Sequence, residues 1–224
     1  MLALKLGLSL VSTPVLGGWS PDDESSLEAW YQKGEGITLD GADVKIWADS
    51  SSNSYDMTQT TATEQPAYSG GVLSFVSGDV NNLQTSGQIS LPDEFTIAIR
   101  FNPDTFSNVV IADNTIANEF IKIIASDKIR IKVDGSSADF DLDSGTFGDD
   151  YIVFTRDAVD KVVLWKNGIE QADTNTRAGT VDIDTIGVRF PDTNAYSGTI
   201  SEIQIYTSTS EALTANINDR LAGL

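Results

Sequence analysis

The chain has 224 residues, 40% hydrophobic and 21% charged, which is enough to bury a core without cross-links. It has no cysteine and no histidine, which excludes disulfides, thiolate metal sites, imidazole bases and any Ser-His-Asp triad. Thirty-three acids against 14 bases give a formal charge of −19, which disfavours nucleic acid and anionic membrane as partners and favours solubility.

The first element is a row of leucines at Leu2, Leu4, Leu6, Leu8 and Leu10, with Ala3, Lys5, Gly7 and Ser9 between them. A period of two is a strand signal. The run has some features of a secretion signal, but Lys5 is its one early cation. No small-x-small site follows, and Pro14 and Gly17-Gly18 interrupt it, so it is expected to remain in the working protein. Five exposed leucines would form an apolar patch. They form either a strand of the chain's own core or an arm that adds to a sheet edge of another molecule. The breaker-rich stretch from Ser12 to Ser26 favours the arm. Trp19, inside that stretch, is grouped with the leucines as a docking residue, although it could also plug the domain's own edge. Residues 1–26 are thus read as arm and linker, and residues 27–224 as one domain.

From Leu27 the pattern changes to short strands and turns. LEAWYQ, VKIWAD and VLSFVS each precede a polar cluster. EFTIAIRF alternates Phe95, Ile97, Ile99 and Phe101 against Glu94, Thr96, Ala98 and Arg100. KIRIKVDG puts Ile129, Ile131 and Val133 on one face and basic residues on the other. FIKIIA, DFDLD, DYIVFTRD, KVVLWKNGIEQA, VDIDTIGVRF and TISEIQIYTS complete the set. About ten closely spaced strands predict an antiparallel sandwich. A short helix should close the chain, capped by Ser210, with Leu213, Ile217 and Leu221 on one face and Gly223 just beyond.

Asn167-Gly168 separates VVLWK from IEQA and predicts a type I′ hairpin turn. The blocks around it are Val153, Thr155 and Arg156, then Leu164, Trp165, Asn167 and Gly168, then Gly198, Ile200, Glu202, Ile203, Ile205 and Tyr206. Upstream lie Ala29, Trp30, Tyr31, Trp47, Asp49, Ser51 and Asn53. In this order they resemble the laminin G or concanavalin A-like lectin-glucanase superfamily, over roughly residues 27–224. The resemblance implies an all-β antiparallel sandwich, a concanavalin A-like jelly roll, with an extended N-terminal arm and a short C-terminal helix. The layout also resembles small virion proteins of tailed phages, which implies a surface subunit on a particle. One such fold hosts lectins, hydrolases and structural modules alike, so function has to come from the site.

Three chemistries were weighed. Asp139, Asp141 and Asp143 alternate on one strand face, but aspartate's short arm suits a glycosidase pair poorly, and the glutamate pattern of the family's glucanases is absent. The same three, with Asp182 and Asp184, are the candidate ligands for a calcium ion. Asp49, Ser51 and Asn53 read better as turn chemistry. For saccharide binding, Trp165 and Asn167 are the candidates, because lectin sites stack aromatics on sugar rings and fix hydroxyls with amides or acids. Trp30 and Trp47 are expected in the core.

The resemblance, together with the leucine arm, therefore implies a non-enzymatic phage virion surface protein without a required cofactor. Its expected role is capsid decoration, with the arm docking on virion proteins and a closed homo-oligomer, a trimer by preference. The alternative is a lectin-like module of a tail fibre or secreted protein that recognises host polysaccharide.

Overall fold

A computed structural model describes residues 18–224, so Leu2, Leu4, Leu6, Leu8 and Leu10 lie outside the described residues. Among the described residues, seventeen antiparallel strands form a ladder folded into two facing layers. One layer runs β15 (Ile169–Thr176), β14 (Lys161–Lys166), β13 (Asp150–Arg156), β8 (Phe95–Pro103) and β17 (Gly198–Tyr206). The far side of β17 is shared by β1 (Leu27–Tyr31) and β6 (Val72–Phe75). The other layer begins with β12 (Ser136–Asp141), β11 (Lys128–Val133), β10 (Phe120–Ala125) and β9 (Asn108–Ala112). It continues through β16 (Val181–Ile186), β7 (Leu83–Leu91), β4 (Met57–Thr58), β3 (Asp43–Trp47) and β2 (Ile37–Asp40). Short β5 (Ala67–Ser69) pairs with both β6 and β3 and joins the layers.

The predicted alternations decide which faces meet. Phe95, Ile97, Ile99 and Phe101 of β8 are buried, as are Ile129, Ile131 and Val133 of β11. Phe140 of β12 meets Phe154 of β13 edge to face at 5.4 Å across the interior. Arg156 is wholly buried without a carboxylate partner. Its guanidinium donates to the carbonyls of Asp93, Leu91 and Gly179 and stacks on the Phe95 ring at 4.7 Å. Burial pushes its pKa down, yet a fan of carbonyl acceptors matches five fixed donors.

The strand count exceeds the sequence reading. β7 was missed because its middle, Thr85 to Gln88, is polar and largely exposed around Gly87. β9 was missed because a short, continuously buried run has no period to detect.

The helix α1 (Glu211–Ala222) lies on the outer face of the first layer. The Ser210 hydroxyl caps it by accepting from the Leu213 amide at 3.0 Å. Leu213, Ile217 and Leu221 pack on Ala98, Tyr151, Val153 and Tyr206. An ion pair holds it there: Arg220 Nε donates to Glu202 Oε1 at 2.5 Å, and Nη2 donates to Oε2 at 3.2 Å. Glu202 is completely buried on β17. It also accepts from the Trp30 indole at 3.1 Å and the Gln204 amide at 2.8 Å, while Arg220 covers the Trp30 ring at 4.8 Å. Removing the arginine strands a buried carboxylate. Arg220→Ala should therefore cost about 3 kcal/mol in urea unfolding, and Arg220→Lys clearly less. Equal losses for the two would show that the charge is not what holds the helix.

Candidate functional site

Strands β13, β14 and β15 present their outer faces beside α1. The helix covers Tyr151 and Val153 but leaves Trp165, one strand further out, only half-buried at its flank. The result is a groove with two lobes. The larger, about 580 Å³, is lined by Tyr151, Trp165, Gly168, Glu170, Asn218 and Asp219, with Glu211 at its rim. The smaller, about 400 Å³, lies towards Thr155, Asp157, Lys161 and Ser210. Trp165, Glu170, Glu211 and Thr214 line both lobes, so the indole stands at the waist.

Local chemistry explains this shape. Trp165 and Glu170 are cross-strand partners flanking the Asn167-Gly168 turn. That turn has φ of 50° and 77° at its two central residues, as type I′ requires. A Cβ on Gly168 would stand 3.3 Å from the Tyr151 hydroxyl and 4.0 Å from Asn218, so glycine keeps the larger lobe open as well as allowing the turn. The Asn218 side-chain oxygen is buried without a hydrogen-bond partner. Burial, and then the Asp219 carboxylate, push the Tyr151 pKa upward.

The structure redistributes the residues named from sequence. Trp165 faces the groove as expected of a ligand-stacking side chain. Asn167 does not reach into it: its oxygen accepts from the Tyr151 amide at 2.9 Å, and its amide donates to Asp150 at 2.5 Å. Asp150 also accepts from Lys166 at 3.0 Å. Burial alone would raise the Asp150 pKa, but these donors hold it below the usual range. Trp19 is not a free docking residue. It packs beside Leu27 against the cluster under α1, and its indole donates to Glu24 at 2.9 Å. Trp30 and Trp47 are buried, as expected.

The candidate calcium ligands do not converge. Asp139 is ion-paired with its cross-strand partner Arg130 at 2.5 Å, and Asp141 with Lys128 at 2.9 Å. The Arg130 hydrogen bond pulls the Asp139 pKa down. Asp143 lies past the end of β12 and accepts from the Ala172 amide. Among the described residues, no three acidic side chains are grouped to hold a metal. Asp49 is saturated by the amides of Trp30, Ser51 and Tyr55, which is the turn chemistry expected for it.

Sequence reasoning missed Tyr151, Glu170, Glu211, Asn218 and Asp219. They reach the groove only when α1 docks, and no local pattern marks a helix's ligand-facing flank.

No protein-family model matches the chain, and no curated protein sequence matches it. Solved structures do. The binding domain of Paraclostridial mosquitocidal protein 1 aligns over 90% of this chain and 52% of its own, at 13% identity and a TM-score of 0.59. The binding domain of botulinum neurotoxin DC, solved in complex with SialylT, aligns over 89% of this chain and 52% of its own, at 16% identity and a TM-score of 0.54. The fold is a concanavalin A-like jelly roll. Trypanosoma rangeli sialidase aligns over 89% of this chain and 33% of its own, at 12% identity and a TM-score of 0.57. This jelly roll therefore spans about half of the toxin domains and a third of the sialidase chain. At such identities the likeness is one of fold.

A second acidic feature of the jelly roll lies away from the groove. Asp113 and Glu119 are 1% and 4% exposed, and one Glu119 oxygen has no partner. Burial, followed by the carboxylates of Asp113, Asp182 and Asp134, pushes the Glu119 pKa up to about 7. Burial, with Asp113 and Asp182, pushes Asp184 up to about 6 despite the Asn114 amide it accepts. An acid whose pKa rises on folding binds its proton more tightly in the folded state. Its protonated form favours folding, and that stability drains away as pH climbs from the unfolded pKa through the folded one. For Glu119 the window runs from 4.5 to about 7. Glu119→Gln should raise the Tm at pH values above that window and flatten the decline across it. An unchanged slope in a Tm-against-pH series would refute the assignment.

Proposed function

We propose that this jelly roll is a non-enzymatic saccharide-binding module whose ligand lies in the two-lobed groove with a sugar ring stacked on Trp165. The carrying observation is the half-buried indole at the waist of a groove long enough for consecutive sugar units, with carboxylates around it. An apolar platform ringed by a few fixed polar groups is what a sugar face and its hydroxyls require. The botulinum neurotoxin DC binding domain, which shares the fold, was solved in complex with SialylT. The non-enzymatic reading is supported by the absence of histidine and by the diversion of Asp139 and Asp141 into ion pairs.

A second reading concerns location. The leucine alternation at residues 2–10 supports a docking arm, and the layout's resemblance to small virion proteins supplies a phage particle as its target, with the jelly roll displayed as a closed oligomer, a trimer by preference. The two readings are compatible, since an arm attaches and a sandwich displays. Deleting residues 2–10 should abolish incorporation into particles while leaving the domain folded. A truncated protein that still decorates particles would sink the docking role.

The direct test of the first reading is a glycan array with the full chain. At least one oligosaccharide should bind, and Trp165→Ala should weaken it by about tenfold or more with an unchanged circular dichroism spectrum. Binding that survives the substitution would move the site elsewhere.

A further inference from the structure

The groove is chemically one-sided. Its larger lobe carries Glu170, Glu211 and Asp219 and no lysine or arginine. The smaller lobe adds Asp157 and one cation, Lys161. The Trp165 ring contributes a π face, which attracts cations and repels anions. The charged groups around the larger lobe are thus all carboxylates, and the chain as a whole carries −19. A carboxylated sugar brings acceptors to acceptors and charge to like charge. A protonated amine brings three donors and a compensating charge.

Resting on the saccharide-binding reading above, we propose that the groove selects amine-bearing saccharides and rejects acidic ones, with Glu170, Glu211 and Asp219 spread along the larger lobe to meet separate ammonium groups of a sugar chain stacked on Trp165. A lobe whose only charged groups are carboxylates is poorly matched to sialylated or uronate-rich glycans, whatever other chains with this fold bind. Glu170 and Asp219 are exposed, so each contributes modestly and is screened by salt. Selectivity comes from the sum of the three and from the absence of a lysine or arginine in the larger lobe to receive an acid.

Three hexasaccharides separate the possibilities: a glucosamine hexamer with its amines protonated, the N-acetylglucosamine hexamer of the same backbone, and a galacturonate hexamer. The expected order with the full chain, by calorimetry at low salt, is amine first, acetylated second and uronate undetectable. The combined Glu170→Gln and Asp219→Asn variant should narrow the amine-to-acetyl preference by about fivefold, and added salt should do the same. Trp165→Ala should abolish binding of both amino-sugar hexamers.

A galacturonate hexamer that binds as tightly as the amine hexamer, and is lost in Trp165→Ala, overturns the charge selection while leaving the saccharide site standing. No binding by any hexamer overturns both. Amine binding that persists in Trp165→Ala is diffuse attraction to an acidic surface and overturns the proposal. So does equal binding of a hexalysine peptide, which would make the groove a reader of cations rather than of sugars.

Discussion

The groove exists because α1 is pinned to the outside of a sheet, and the pin is Glu202 against Arg220. A wholly buried carboxylate is costly unless every oxygen is engaged. Here it receives the Arg220 guanidinium, the Trp30 indole and the Gln204 amide, so β17 and the helix that follows it are fixed to each other and to β1 near the other end of the chain. That fixes how far the helix overlaps β13 and β14. The overlap buries Tyr151 and Val153 and stops short of Trp165. The half-exposed indole is a consequence of where the ion pair sets the helix, and the groove is the space between them.

A different electrostatic arrangement closes the sandwich. β11 is basic on its outer side and β12 acidic, and their register sets Arg130 against Asp139 and Lys128 against Asp141. Where β12 approaches β15, side chains replace a backbone ladder. Asp173 accepts from the Asp141 amide, Asn175 donates to the Asp139 carbonyl, and Arg177 donates to that of Ser137. These groups satisfy edge amides and carbonyls that would otherwise invite another strand. Much of the acid excess near this edge is therefore structural, which is why a row of aspartates at Asp139, Asp141 and Asp143 misleads when read alone for metal binding.

Legibility in the sequence tracked how local each feature is. The alternation in β8 and β11, the Asn167-Gly168 turn and the Ser210 cap depend on neighbours in the chain, and each is where the pattern puts it. Trp165 was legible as a candidate because it flanks that turn. Its companions were not. Asn218 and Asp219 become groove residues only through the packing of Leu213, Ile217 and Leu221, and the sequence shows that packing face but not the opposite flank's surroundings. Trp19 takes the other place open to it: an aromatic in a breaker-rich stretch has an apolar face to cover, and it lies against the cluster beneath α1.

The residues that carry the family resemblance turn out to build the scaffold. Arg156 holds four backbone carbonyls, Glu202 pins the helix, Asn167 fastens a hairpin to β13, and Gly198 sits where a Cβ would meet the Asn102 carbonyl at 2.3 Å. None of them is free to touch a ligand. The groups that are free, Trp165 apart, fall between the recognisable blocks: Glu170 just past the turn, and Asn218 and Asp219 on the closing helix. A chain can therefore keep every scaffold residue and change what it binds by altering a few side chains on β15 and α1. That is the physical reason a shared jelly roll says little about ligand, while the charge and hydrogen-bonding sense of one groove says a good deal.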